Sequence, residues 1–251
     1  MIDWARLQGV YGPAQDVPAL LKAAGTGADD AWSELWAQLW HQGNTCEAGI
    51  AALPALASLA QHTDRAVRHP AIELAGEIVG AALREGRPLE GTEELQRPLA
   101  LLSAAADGWL SERPADYRTS FRAKLALDGF PVLSDALDDF VDFCVEVRCP
   151  GCSDKVGIVI GDFGCYSSIR DWDLGDVHPI PLRPAVPDDL LGIARRLHHA
   201  AVRDDQPRLA WGLRHVFGGA ECGACGAIFS PASALETRRA AGGGAVHRVP
   251  E

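Results

Sequence analysis

The chain has 251 residues, 47% of them hydrophobic, and a formal net charge of −11. That length suits one large domain or two moderate ones, with enough apolar content to build a core without a metal. The charge argues against a polyanion such as DNA as partner, and the lack of any run of about 18 apolar residues argues against a transmembrane helix.

Met1-Ile2-Asp3-Trp4 carries an acid where a secretory leader carries basic residues, so the expected compartment is the cytoplasm. From there to about residue 140 the apolar spacing is helical. Asp29 and Asp30 cap a helix with Trp32, Leu35, Trp36 and Leu39 on one stripe, ended by Gly43-Asn44. Trp40 falls on the same stripe, a core face by default and a partner groove on the sharper reading, and His41 sits favourably near the helix C-terminus. Thr45 caps a second helix with Cys46, Ile50, Leu53, Ala57 and Ala60 in line. Asp64 opens a third, which Pro70 can kink, and Thr92 opens a fourth that runs to about Gly108. Further helices cover Pro114 to Leu127 and Leu133 to Phe140. Serial helices on short turns suggest a HEAT-like α-solenoid, with an irregular helical bundle as the alternative. The stretch from Pro54 recurs loosely at Pro98, an offset of 44 residues, within the span of such repeats.

The pattern changes near residue 141. Val141 to Arg148 alternates like a strand and Lys155 to Ile160 reads as its hairpin partner, with Cys149-Pro-Gly-Cys152 at the tip. A loop follows to about Pro187, with Cys165 to Arg170 a possible third strand. Pro187-Asp188-Asp189 starts a helix carrying Leu190, Ile193, Leu197 and Ala200, and a second covers about Pro207 to Phe217. Gly218-Gly219 leads into Cys222-Gly-Ala-Cys225, after which Ala227 to Ser230 returns as a short strand and Ser233 to Arg239 adds a helical turn. Three regions are therefore expected: a helical domain over 1–140, a zinc-ribbon domain with inserted helices over 141–240, and a flexible tail over 241–251. The fold class is mainly α, with the β-hairpin domain appended.

The two CxxC pairs carry the strongest chemical signal. Each can bite one metal ion from a single turn, and two turns complete the tetrahedral four-sulfur site usual for structural zinc. The expected ligands are Cys149, Cys152, Cys222 and Cys225, and the expected cofactor is a structural Zn²⁺. A redox reading of the pairs lacks the strand-to-helix context it requires. Cys165 or His178 could instead enter the coordination sphere, whereas Cys46 and Cys144 read as small buried hydrophobes. His198-His199 point about 100° apart on a helix and read as a solvated end rather than a metal pair. The acidic loop Asp171 to Asp176, with Trp172 inside it, lacks the rest of a calcium loop and reads as surface. No phosphate loop, nucleophile elbow or HExxH motif is present.

Trp32-Ser-Glu-Leu-Trp-Ala-Gln-Leu-Trp-His-Gln-Gly43 followed by Ala51-Ala-Leu-Pro-Ala-Leu-Ala-Ser-Leu-Ala60 resembles HEAT-like repeat proteins common in actinobacteria. The Ala- and Arg-rich composition, with three lysines, agrees with a high-GC genome. Some such proteins also carry a C-terminal zinc ribbon, matched here by Val145 to Cys152 and Leu213 to Phe229. The resemblance implies an architecture and no catalytic residue. Some HEAT-like proteins are taken as immunity proteins that neutralise a toxin of the same cell, which implies a protein partner.

Charge sharpens that expectation. Through Arg148 there are 12 basic and 22 acidic residues; from Cys149 onward there are 11 and 12. An acidic helical half suits a basic protein, such as a toxin or an enzyme needing an adaptor. The expected function is thus a protein-binding module with a structural zinc site. The alternative is an enzyme whose site, between body and ribbon, uses Cys165, His178 and the Asp171–Asp176 loop. A third is nucleic-acid binding through the ribbon, which would need a basic patch around Arg195, Arg196, Arg203 and Arg208.

Overall fold

A computed structural model describes residues 2–87, 89, 93–136, 142–169 and 178–240. The expected tail over 241–251, the loop Asp171–Asp176, Thr92 and the end of the helix placed at Leu133 to Phe140 lie, wholly or in part, outside the described residues. The described chain is mainly helical with small antiparallel sheets, and it divides into two compact units, Met1–Ser134 and Asp135–Glu251.

The first unit holds α1 (Val17–Ala24), α2 (Asp29–Leu39), α3 (Glu47–Leu59), α4 (Arg65–Arg84), α5 (Glu93–Ser111) and α6 (Tyr117–Leu127); α7 (Pro131–Ala136) runs across the division. Asp64 caps α4 by accepting from the Ala66 amide at 2.9 Å, and Asp116 caps α6 by accepting from the Thr119 amide at 3.2 Å. The Thr119 hydroxyl also donates to Asp116, and these bonds hold that carboxyl below its ordinary range. Consecutive helices pack in pairs, α1 with α2, α3 with α4 and α5 with α6; α3 also packs on α5 and α4 on α6. A single apolar cluster runs through this unit from Ala14 to Leu127.

The α2 stripe ends sooner than the glycine signal implies. The helix stops at Leu39, and Trp40–His41 (β1) pairs with Asn44–Thr45 (β2) in a two-residue hairpin. Gln42 and Gly43 both take left-handed backbone, φ 48° and 82°, as a type I′ turn demands. Gly43 is therefore a turn glycine and not a helix terminator. Trp40 leaves the helical stripe and meets Trp36 edge-on, with ring centroids 5.5 Å apart. His41 shares a 3.0 Å hydrogen bond with the Tyr11 hydroxyl instead of neutralising a helix end. Thr45 does not cap α3: its hydroxyl donates to the Leu39 carbonyl, closing α2, and Cys46 takes the cap position.

The second unit is built on a four-stranded antiparallel sheet: β3 (Asp142–Arg148), β4 (Lys155–Gly161), β5 (Gly164–Ser168) and β6 (Ile180–Pro181). Val156, Ile158 and Ile160 of the second strand are fully buried. Two helices follow, α8 (Gly192–Arg203) and α9 (Pro207–Val216), then β7 (Ala220–Glu221), β8 (Ile228–Phe229) and α10 (Pro231–Ala240). The helix expected from Pro187 is interrupted. Pro187–Asp189 is a 3-10 turn, Leu190 and Leu191 are extended, and Gly192 enters α8 at φ 53°, a conformation that no continuous helix can contain. His198 is buried on the inner face with Leu197 and Ala201, so it is not part of a solvated end; His199 is exposed.

Candidate metal centre

Both CxxC turns are six-residue tips of antiparallel hairpins. Arg148↔Lys155 closes the strands around residues 149–154, and Glu221↔Ile228 closes those around 222–227. The two tips repeat one hydrogen-bond scheme. The Cys149 amide donates to the Asp154 carbonyl and the Ser153 amide returns to the Cys149 carbonyl, each at 2.9 Å. Correspondingly, the Cys222 amide donates to the Ala227 carbonyl at 2.9 Å and the Gly226 amide to the Cys222 carbonyl at 2.8 Å. The residue after each second cysteine is left-handed, Ser153 at φ 64° and Gly226 at φ 72°. Glycine takes that conformation freely, whereas serine is held there against its preference.

Backbone contacts bring the distant tips together. The Arg183 and Gly219 amides donate to each other's carbonyls at 2.8 Å, three residues before Cys222. Ser167 on β5 adds a 2.8 Å bond to the Glu221 carbonyl. The approach is close enough that a Cβ on Gly218 would stand 2.1 Å from the Arg183 carbonyl oxygen, so only glycine fits. These backbone bonds tie the segment before the second tip to the sheet that carries the first.

The result is a cluster of four Sγ atoms, all within 4.8 Å of one another. Cys149 and Cys225 lie 3.6 Å apart, Cys152 and Cys222 3.8 Å apart. A disulfide needs about 2.05 Å, so no pair is cross-linked. Zn–S bonds of about 2.3 Å in a tetrahedron put neighbouring sulfurs about 3.8 Å apart, and the observed spacings suit such an ion. Cys149 and Cys222 are buried; Cys152 and Cys225 are exposed.

Four crowded thiols cannot ionise alike. Burial pushes the Cys149 thiol up, but amide donors from Cys152 and Gly151 and the thiols of Cys222 and Cys225 outweigh it and bring it down to about 7. For Cys152 the amide of Asp154 pulls down, and burial together with the three other sulfurs overrides it, to about 12. Cys225 is raised as well. One sulfur takes the charge and its neighbours resist a second, a conflict that a divalent cation removes.

The other candidates stand apart. Among the described residues the cluster contains neither Cys165 nor His178. Cys165 lies in β5 opposite Ile160, and burial raises its thiol, which is the reverse of an activated nucleophile; His178 is exposed. Cys46 is half-buried, its Sγ 3.5 Å from the Gln38 carbonyl, and Cys144 is also half-buried. The arginines named for a basic patch are partly engaged: Arg203 with Asp204, Arg208 with Asp162, and Arg195 with the Leu190 carbonyl. Sequence reasoning missed Ser153 and the Arg183–Gly219 bridge; the matched Cys-x-x-Cys-x-x lengths are the one signal that could have found Ser153.

Comparison of the chain with protein-family models, with curated proteins and with solved structures gave no match in any of the three. Among the described residues no helix is long and apolar enough to cross a membrane.

Proposed function

We propose that this protein is a protein-binding module whose second unit is stapled by one structural Zn²⁺ held by Cys149, Cys152, Cys222 and Cys225. The four-sulfur cluster on two matched hairpin tips carries the reading. An all-thiolate set selects a soft or borderline ion, and four sulfurs leave no open position for water or substrate. The ion therefore holds structure and does no chemistry.

The binding role rests on the helical unit. Its packing, α3 on α5 and α4 on α6, supports a HEAT-like stack of helix pairs. Its acidic balance suits a basic protein, a toxin or an enzyme needing an adaptor. The enzyme alternative is weakened by the raised thiol of Cys165.

Two measurements test the proposal. Elemental analysis of protein purified without added metal should return one zinc per chain; iron in its place, or no metal at all, overturns the staple. Basic proteins encoded beside the gene should bind the full chain, with affinity falling as salt rises. Binding that ignores salt, or binding by acidic proteins alone, defeats the role given to the acidic helices.

A further inference from the structure

Four sulfurs can pair in three ways, and the geometry of the tips separates them. Cys149 lies 3.6 Å from Cys225 and Cys152 lies 3.8 Å from Cys222, and both of these contacts run between the tips. Each joins an exposed sulfur to a buried one, Cys225 to Cys149 and Cys152 to Cys222. An oxidant can therefore reach one member of each pair, with the other beside it to complete a bond. The pairing of Cys149 with Cys222 lacks this property, because both sulfurs are buried.

A bond inside either tip meets a different obstacle. The paired backbone bonds of residues 149–154 and 222–227 fix each turn around its own two sulfurs. The Gly151 amide also donates to the Cys149 sulfur at 3.3 Å. A bond between the tips asks only that side chains close by about 1.5–1.8 Å, to the roughly 2.05 Å of a disulfide. The segments that carry the tips are tied by the Arg183–Gly219 bridge and by the Ser167 bond to Glu221, and neither involves a cysteine.

We propose that hydrogen peroxide turns this centre into two disulfides that cross between the tips, Cys149–Cys225 and Cys152–Cys222, so that covalent bonds take over the staple as the ion is lost. This rests on the four-sulfur centre proposed above, whichever ion fills it, and adds how that centre answers an oxidant. The exposed sulfur attacks one oxygen of the peroxide, the O–O bond breaks, and hydroxide leaves as water with a proton; a sulfenic acid remains. The buried sulfur of the pair then attacks that sulfenic sulfur. The S–O bond breaks, a second hydroxide leaves as water, and the S–S bond forms. For each disulfide two sulfurs give up two electrons and one peroxide takes them. The two protons are those of the thiols, or come from solvent where the sulfurs are bound to the ion.

The test is oxidation of the full chain, its metal content measured first, with two equivalents of hydrogen peroxide, one for each bond. Remaining thiols are then blocked and the disulfides mapped by mass spectrometry. Trypsin does not cut between the cysteines of one tip, so peptides 149–155 and 215–238 should be recovered joined, in at least about tenfold excess over the same peptides with internal bonds. Electron-transfer fragmentation of the joined pair should assign Cys149 to Cys225 and Cys152 to Cys222. Oxidised in denaturant, the chain should reverse the ratio, because the short loop inside each CxxC closes more readily than the long one between them. Amides of 220–229 should stay protected from exchange in the natively oxidised protein. Bonds inside the tips, a Cys149–Cys222 bond, or sulfonic acids in place of disulfides overturn the proposal. So do an equal excess of joined peptides from the denatured chain and a loss of amide protection on oxidation. A preparation without metal sinks the zinc staple alone, since the pairing is read on the same sample.

Discussion

Phe121 is 1% exposed in the first unit, and Ile72 and Leu102 are fully buried in an apolar cluster that spans it from Ala14 to Leu127. In the second unit the turns that carry the four sulfurs are flanked on one side by strands of two residues, β7 and β8. Burial of hydrocarbon is spread over many side chains, and the loss of one leaves the rest in place. The proposed coordination is concentrated in four sulfur atoms, and removing one would remove the site. The comparison predicts damage that is graded in one unit and all-or-none in the other.

Cys222→Ser should have the largest effect: metal content falls to zero, and amides of 145–158 and 220–229 lose protection from exchange while those of α3 to α6 keep theirs. Unchanged protection at both tips would break the comparison. Gly218→Ala should come next, because its Cβ would collide with the Arg183 carbonyl and separate the tips. A competing chelator should then strip the metal at least about tenfold more readily than from the unaltered protein. Phe121→Ala should destabilise the first unit by about 3–5 kcal/mol in denaturant unfolding and leave metal content untouched. A loss of metal in that variant would show that the units do not fail separately.

Smaller effects sharpen the picture. Ser153→Gly should stabilise the first tip and Gly226→Ala destabilise the second, each by about 1 kcal/mol, since both positions are left-handed. Thermal melts giving both changes the same sign would refute the equivalence of the tips. The smallest effect concerns His215, whose pKa is lowered by burial and, to a lesser degree, by Arg214, against the upward pull of its bond to the Trp211 carbonyl. The unfolded chain takes up a proton below pH 6.5 that the folded unit resists. The stability from this group is complete above that pH and declines as pH falls through it toward the folded value. His215→Gln should flatten the loss of melting temperature on acidification, and an unchanged slope would exclude this histidine as the cause.

What the sequence disclosed follows from how local each signal is. The meeting of the two CxxC pairs was legible, because two thiols at that spacing serve few purposes apart from a shared ion. The order of helices was legible from apolar periodicity, although α1 was missed: only Val17, Leu21 and Ala24 are buried on a helix of eight residues. Gly43 misled because one residue type serves both helix ends and tight hairpins; the deciding fact, Trp40 paired with Thr45, lies beyond the glycine. The Arg183–Gly219 bridge joins residues 36 apart through backbone atoms, and the trace it leaves in the sequence, the glycine at 218, does not name the partner. The burial of His198 was hidden for a related reason, since only packing reveals it.

Seventy positions separate Cys152 from Cys222. On a ribosome adding about 5–20 residues per second, the first tip waits roughly 4 to 14 s for the second. During that interval the nascent chain presents two sulfurs of a half-built centre to the cell, free to take an ion loosely or to react with an oxidant. Strand β4 and the Asp154 turn are synthesised before the partner cysteines exist, so the first tip is the one that can form first. Its maturation then depends on how quickly translation delivers the second.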